Sequence, residues 1–167
     1  MVVVNMSLEE YAQGYRKVNW PRINQCPICG ARTKLQNHGW YRRNALPSKE
    51  KALVVMIRRL LCPVCHKTVS LMPSILLPHF QYTLGFIMTS LTAKTSAYRE
   101  LLRFHWKRFL RNINVVQAFF RDIDPNMAIP AVLNEKAMKL LAKIRSLGPE
   151  LFSVLFLKRF HRCFMAA

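Results

Sequence analysis

The chain has 167 residues, 51% of them hydrophobic, and its 26 Lys and Arg against 8 Asp and Glu give a formal net charge of +18. That composition excludes a chain disordered throughout, and the length suits one substantial domain or two small ones. An excess of positive charge this large attracts phosphate polymers or anionic membranes and is more than solubility requires. It is also regional, because between Lys51 and Arg121 the sole acidic residue is Glu100.

The opening Met1-Val2-Val3-Val4-Asn5-Met6 has neither the basic region nor the long apolar core of a signal peptide. Ser7-Leu8-Glu9-Glu10 reads as a capping box, in which the Ser7 hydroxyl accepts from the Glu10 amide and the Glu10 carboxylate reaches back to the Ser7 amide. It predicts a short helix to about Gln13, stopped by Gly14, with a packing role on one side of the cysteine-bearing segment.

Two knuckles organise the chain: Cys26-Pro27-Ile28-Cys29-Gly30 and Cys62-Pro63-Val64-Cys65-His66. Each sets two thiols two residues apart in a turn whose backbone amides point back at the sulfurs, so thiolate charge is partly offset before a metal arrives. Cys26, Cys29, Cys62 and Cys65 together make a tetrahedral four-sulfur site. Zinc is the expected occupant; iron takes the same ligands and stays open, although nothing else in the chain suggests redox chemistry. A closed four-sulfur site holds a fold and does not activate water. With the thiols committed to metal, a reducing cytoplasm is the expected compartment.

The stretch between the knuckles is longer than the about 15 to 20 residues of the common spacing, and it reads as a hairpin. One strand is predicted over 38–45, a turn over Leu46-Pro47-Ser48-Lys49-Glu50-Lys51, and a β-branched return strand over 52–61. Arg42 and Arg43 lie on the first strand, Arg58 and Arg59 on the second, and alternation puts one guanidinium of each pair on each face. Trp40 and Tyr41 beside them suit sugar and phosphate backbones, while a Trp40 packed under the hairpin with solvated arginines is the plainer alternative. His38 and His66 read as turn residues beside the site, with His38 in place of one cysteine conceivable.

From Thr68 to Ala93 there is no charged residue. Pro73 and Pro78 interrupt its first half and His79 and Gln81 sit near its middle, so it reads as an extended connector and a buried helix, not a membrane span. That helix begins near Gln81, with Leu84, Ile87, Met88 and Leu91 on its buried face. A turn over Thr92-Ala93-Lys94-Thr95-Ser96 leads to a long helix capped by Thr95 or Ser96. Its apolar stripe is Leu102, Trp106, Phe109, Ile113, Val116 and Phe120. Arg99, Arg103, Lys107 and Arg111 repeat every four residues on another face. Like charges at that spacing repel, which an anionic partner would relieve; a solvated basic face is the alternative.

Asp122-Ile123-Asp124-Pro125-Asn126 ends that helix. An amphipathic segment comes after Pro130, with Val132, Leu133, Met138, Leu140, Leu141 and Ile144 apolar, and Gly148-Pro149 breaks it. A last helix from Glu150 to about Met165 carries Phe152, Phe156, Phe160 and Phe164, suited to a core or a dimer contact. Cys163 reads as a small buried hydrophobe.

The order Cys-Pro-Ile-Cys-Gly, His38-Gly39-Trp40-Tyr41-Arg42-Arg43, then Ile57-Arg58-Arg59-Leu60-Leu61 and the second knuckle with Lys67-Thr68-Val69-Ser70 resembles the amino-terminal zinc ribbon of insertion-sequence transposases. The likeness covers about residues 20 to 90 and departs at His66 and Val69. It implies a zinc ribbon with a helix-turn-helix-like module that holds mobile-element DNA. Full transposases of this kind add a ribonuclease-H-like domain with three carboxylates binding two magnesium ions, for which this chain has no room.

The expectation is therefore an α+β protein. Residues 1–78 form an N-terminal helix plus zinc ribbon, and residues 79–167 an α-helical, helix-turn-helix-like domain. It is expected to be a non-enzymatic DNA-binding protein that carries Zn2+ and contacts duplex DNA through the eight cations named above. RNA binding, or protein interaction and self-association through the C-terminal aromatic helices, are the alternatives.

Overall fold

The two knuckles and the β-branched run Val54-Val55-Met56-Ile57 come together in the computed structural model, which describes residues 1–7, 10–11, 20–92 and 99–166. The chain divides into two compact units, Met1–Thr83 and Leu84–Ala167. It is α+β: among the described residues the first unit holds a four-stranded sheet and the second is helical.

The sheet runs in the order β1-β4-β3-β2, from β1 (Val2–Val4), β2 (Gln36–Ala45), β3 (Leu53–Leu61) and β4 (Thr68–Pro73). β2 and β3 form the predicted hairpin, with Trp40 opposite Arg58 and Ala45 opposite Leu53. Between Asn37 and Trp40 the register shifts as β2 takes an extra residue. Gly39 turns this bulge at φ +95, a conformation that costs a residue without Cβ little.

Two strands were not expected. Thr68–Pro73, read from its prolines as a connector, pairs antiparallel with β3 from Leu61↔Thr68 to Arg58↔Leu71, and β1 pairs with it in parallel, Val2↔Leu71 to Val4↔Pro73. Pro73 is tolerated because it ends the strand, and the next amide, Ser74, bonds the Val4 carbonyl at 2.9 Å.

Register sorts the side chains. Val55 and Ile57 share a face with Tyr41, Arg43 and Ala45; Leu60, Val69 and Leu71 share the other with Arg58 and Trp40. Both faces are covered, since Val55, Ile57, Ala45, Val69 and Leu71 are all fully buried. Each such burial of a large aliphatic contributes about 1.5–3 kcal/mol.

The capping box forms as predicted, Ser7 amide to Glu10 carboxylate 2.8 Å and Glu10 amide to Ser7 hydroxyl 3.1 Å. It delivers Tyr11 into the core of the sheet unit. The predicted end of that helix, Gln13 and Gly14, lies outside the described residues.

The second unit contains α1 (Leu84–Thr92), α2 (Arg99–Arg111), α3 (Ile113–Ile123), α4 (Leu133–Leu147) and α5 (Pro149–Phe160). α1 buries Leu84, Ile87, Met88 and Leu91 as its spacing predicts. The turn and cap expected over 93–96 lie outside the described residues.

The single long helix expected from the apolar stripe is in fact two, broken at Asn112. That residue is fully buried. Its side-chain nitrogen donates to the Arg108 carbonyl at 2.9 Å and the Ala166 carbonyl at 2.8 Å, and its side-chain oxygen accepts from Arg162. The apolar stripe survives the break: Phe109, Ile113, Val116 and Phe120 are buried, with Leu102 and Trp106 half-buried.

α4 buries Ala137, Leu140, Leu141 and Ile144, whereas Val132, Leu133 and Met138 are exposed. Gly148, at φ +92, makes the corner into α5, and Pro149 opens the new helix where its missing N–H costs nothing. α5 ends at Phe160, earlier than expected, with His161 left-handed at φ 54. Its aromatics build this unit's core: Phe120 and Phe152 stack at 5.6 Å, and Phe119 and Phe164 meet Phe152 at 5.1 Å each. No described helix is long and apolar enough to cross a membrane.

Candidate metal centre and cationic surfaces

The two knuckles have the same hydrogen bonds. The Cys26 amide bonds the Ala31 carbonyl at 2.9 Å and the Gly30 amide returns to the Cys26 carbonyl at 2.9 Å; in the second, Cys62 bonds Lys67 at 3.1 Å and His66 returns to Cys62 at 3.0 Å. The returning residue must be left-handed, and Gly30 (φ 74) and His66 (φ 54) both are. His66 thus serves in the turn where the first knuckle has glycine. Neither it nor the exposed His38 belongs to the sulfur cluster.

The four sulfurs of Cys26, Cys29, Cys62 and Cys65 lie within 4.8 Å of one another, the one such cluster among the described residues. Across the knuckles Cys26 approaches Cys65 at 3.9 Å and Cys29 approaches Cys62 at 3.8 Å. These separations are far too long for disulfides. They match the edge of a tetrahedron with metal–sulfur bonds of about 2.3 Å, about 3.8 Å. The residues fit a four-coordinate metal ion. Cys26 and Cys62 are buried, Cys65 is half-buried and Cys29 exposed.

Electrostatics point the same way. Backbone amides, Cys29 first and then Ile28 at 3.4 Å, pull the Cys26 thiol down to about 6. At Cys29 the Ala31 amide also pulls down, but desolvation and the thiols of Cys26, Cys65 and Cys62 outweigh it and leave the group raised to about 11. The Cys26 thiolate forms readily and a second one at Cys29 is opposed, a conflict that a bound cation removes.

The eight cations chosen from sequence separate into different settings. Arg42 is exposed. Arg58 lies over Trp20 at 5.5 Å and Trp40 at 5.7 Å, its Nε donating to Asn37 at 3.3 Å. Arg59 lies over Tyr41 at 5.8 Å and keeps its Nε buried. Arg43 is a structural clamp: its guanidinium donates to the Leu77 and Phe80 carbonyls and contacts the Met72 sulfur at 3.0 Å. Burial lowers its pKa. Its donors bind the 77–80 segment to the sheet and are not available to phosphate.

Arg99, Arg103, Lys107 and Arg111 are all exposed on α2. The only ion pair among them in the described residues joins Arg103 to Glu100 at 2.8 Å, with 66% and 87% of the two side chains exposed, so it neutralises little. A helix-turn-helix joins its helices by a turn of about 3–4 residues; α2 and α3 are separated by Asn112 alone. Sequence reading passed over Trp20, which covers Arg58, and the cations Arg22, Arg32 and Lys34 near the first knuckle. The available signal was the absence of any acidic residue from Tyr11 to Lys49.

A family described as a domain of unknown function (DUF6431) matches residues 26–103. The match begins at the first cysteine and takes in all four. No curated protein matches the chain, and no solved structure matches it.

Proposed function

We propose that the chain is a zinc-stabilised, non-enzymatic protein that binds duplex DNA through its cationic surfaces. The observation that carries this reading is α2, which exposes Arg99, Arg103, Lys107 and Arg111 at four-residue steps with Glu100 as its sole acidic residue. Such a face is repulsive by itself and favourable against phosphate. On the ribbon, Arg42 is exposed and Arg58 lies beside two indoles.

Zinc is favoured over iron because a closed four-thiolate set suits a redox-inert structural ion and no neighbouring group suggests electron transfer. The ion would be held by Cys26, Cys29, Cys62 and Cys65, and it would supply fold stability, with no open position for chemistry. The likeness of the ribbon to insertion-sequence transposases supports a mobile-element context, as a regulator or a DNA-holding part.

The test is binding of the metal-loaded chain to a labelled DNA duplex at several salt concentrations. Six phosphate contacts, from Arg42, Arg58, Arg99, Arg103, Lys107 and Arg111, give a slope of log affinity against log salt of about −5. A slope near zero overturns the reading. Stronger competition by single-stranded RNA than by duplex DNA moves the function to RNA.

A further inference from the structure

Arg22, Asn24, Gln25, Arg32, Thr33 and Lys34 line a concave surface of about 570 Å³ beside the first knuckle. The backbone explains it. The Leu35 amide bonds the Ile23 carbonyl at 3.3 Å, joining the segments before and after the first knuckle. Leu35 is buried and Ile23 packs into the sheet core. Their neighbours Arg22, Asn24 and Lys34 are left exposed. Gln25 donates to the Gly30 carbonyl at 3.2 Å and so fixes the knuckle loop that carries Arg32.

Arg22, Arg32 and Lys34 are exposed, and no carboxylate pairs with any of them among the described residues. Three like charges converging on a concavity, with amide and hydroxyl groups between them, form a site for an anion with several acceptor oxygens. The hydrogen bonds from the Cys26 amide to Ala31 and from the Gly30 amide to Cys26 restrain the adjoining loop, which lowers the entropy lost when the anion binds.

We propose that this concavity is a second phosphate-backbone site, in which Arg22, Arg32 and Lys34 grip the nucleic acid and Asn24, Gln25 and Thr33 orient its oxygens. The proposal rests on the nucleic-acid reading and adds a site that the choice of cations on β2, β3 and α2 left out. Three more contacts steepen the salt slope of the whole chain from about −5 to about −8.

The experiment compares the metal-loaded wild type with the triple variant Arg22→Gln/Arg32→Gln/Lys34→Gln and with Arg103→Gln/Lys107→Gln/Arg111→Gln on one DNA duplex across a salt series. Metal content and circular dichroism establish that each is folded. The site predicts that the first variant returns the slope to about −5, with affinity lost equally on unrelated sequences. It also predicts that duplex added to the wild type shifts the backbone amide resonances of Asn24, Arg32, Thr33 and Lys34, a readout that needs no variant. If the first variant binds as the wild type does and those resonances stay still while the α2 variant loses affinity, this site is overturned and the DNA reading stands. A wild type that binds no nucleic acid overturns both.

Discussion

The Tyr11 hydroxyl donates to the Leu71 carbonyl at 2.7 Å and accepts from the Arg58 amide at 3.3 Å. Arg58 and Leu71 are the last paired residues of the β3–β4 ladder. A side chain from the capped N-terminal turn therefore satisfies the backbone where the two strands part. Tyr11→Phe leaves those groups unmet in a buried place and should cost about 1–3 kcal/mol, read as a lower urea midpoint of the metal-loaded chain. Burial also raises the Tyr11 hydroxyl to about 12. A raised pKa means that the neutral form is the one the fold favours. This contribution is intact below pH about 10, the unfolded value, and is lost as pH rises towards about 12. Tyr11→Phe should remove that part of the alkaline loss; an unchanged alkaline profile would show that Tyr11 does not carry it.

What the sequence made legible was local. The doubled Cys-Pro-x-Cys marked the four sulfurs, the run Val54 to Ile57 marked β3, and three- and four-residue spacing marked α1. The failures are non-local. β1 is three residues long and acquires its meaning from β4, far along the chain. Asn112 interrupts an apolar stripe that continues on both sides, and the partners that hold it, Ala166 and Arg162, lie some fifty positions away. Arg43 looked like its neighbours until the carbonyls of Leu77 and Phe80 were folded against it.

The equivalence of Gly30 and His66 predicts substitutions of opposite sign. Gly30 has open space where a Cβ would stand, so Gly30→Ala is opposed by its positive φ alone and should lose about 1 kcal/mol. His66→Gly relieves the same strain, part of the gain being offset by the freer unfolded chain, and should raise stability by about half a kcal/mol. Thermal unfolding of the metal-loaded chains measures both. A loss in His66→Gly would mean that the imidazole makes a contact worth more than the strain.

Removing metal should do more damage than any single side chain. Four-thiolate zinc contributes about 10–16 kcal/mol in small zinc domains, more than most domains have as net stability. Chelation should therefore unfold the sheet unit, with mass spectrometry showing one zinc per chain beforehand. Cys62→Ser should abolish the stoichiometry, while Cys163→Ser should keep it, because Cys163 lies outside the sulfur cluster and burial raises its thiol to about 11. Full metal content in Cys62→Ser would remove Cys62 from the ligand set.

In the helical unit acid should act through His105. The residue is fully buried on α2, with its Nδ1 2.6 Å from the Ser90 hydroxyl of α1. The Ser90 hydroxyl also reaches the Ile87 carbonyl at 2.7 Å, and with its proton donated there its oxygen accepts from His105 Nδ1. Burial lowers the imidazole to about 4. A lowered pKa means that the fold favours the neutral ring, so this stability is complete above the unfolded value of about 6.5 and is lost as pH falls towards about 4. The loss should appear as a falling unfolding midpoint across that window, above the range where exposed carboxylates titrate. His105→Asn keeps an N–H near the Nδ1 position without a titrating ring. It should be less stable at neutral pH and lack the dependence between pH about 6.5 and 4. If the wild type holds its midpoint through that window, His105 does not link acid to unfolding.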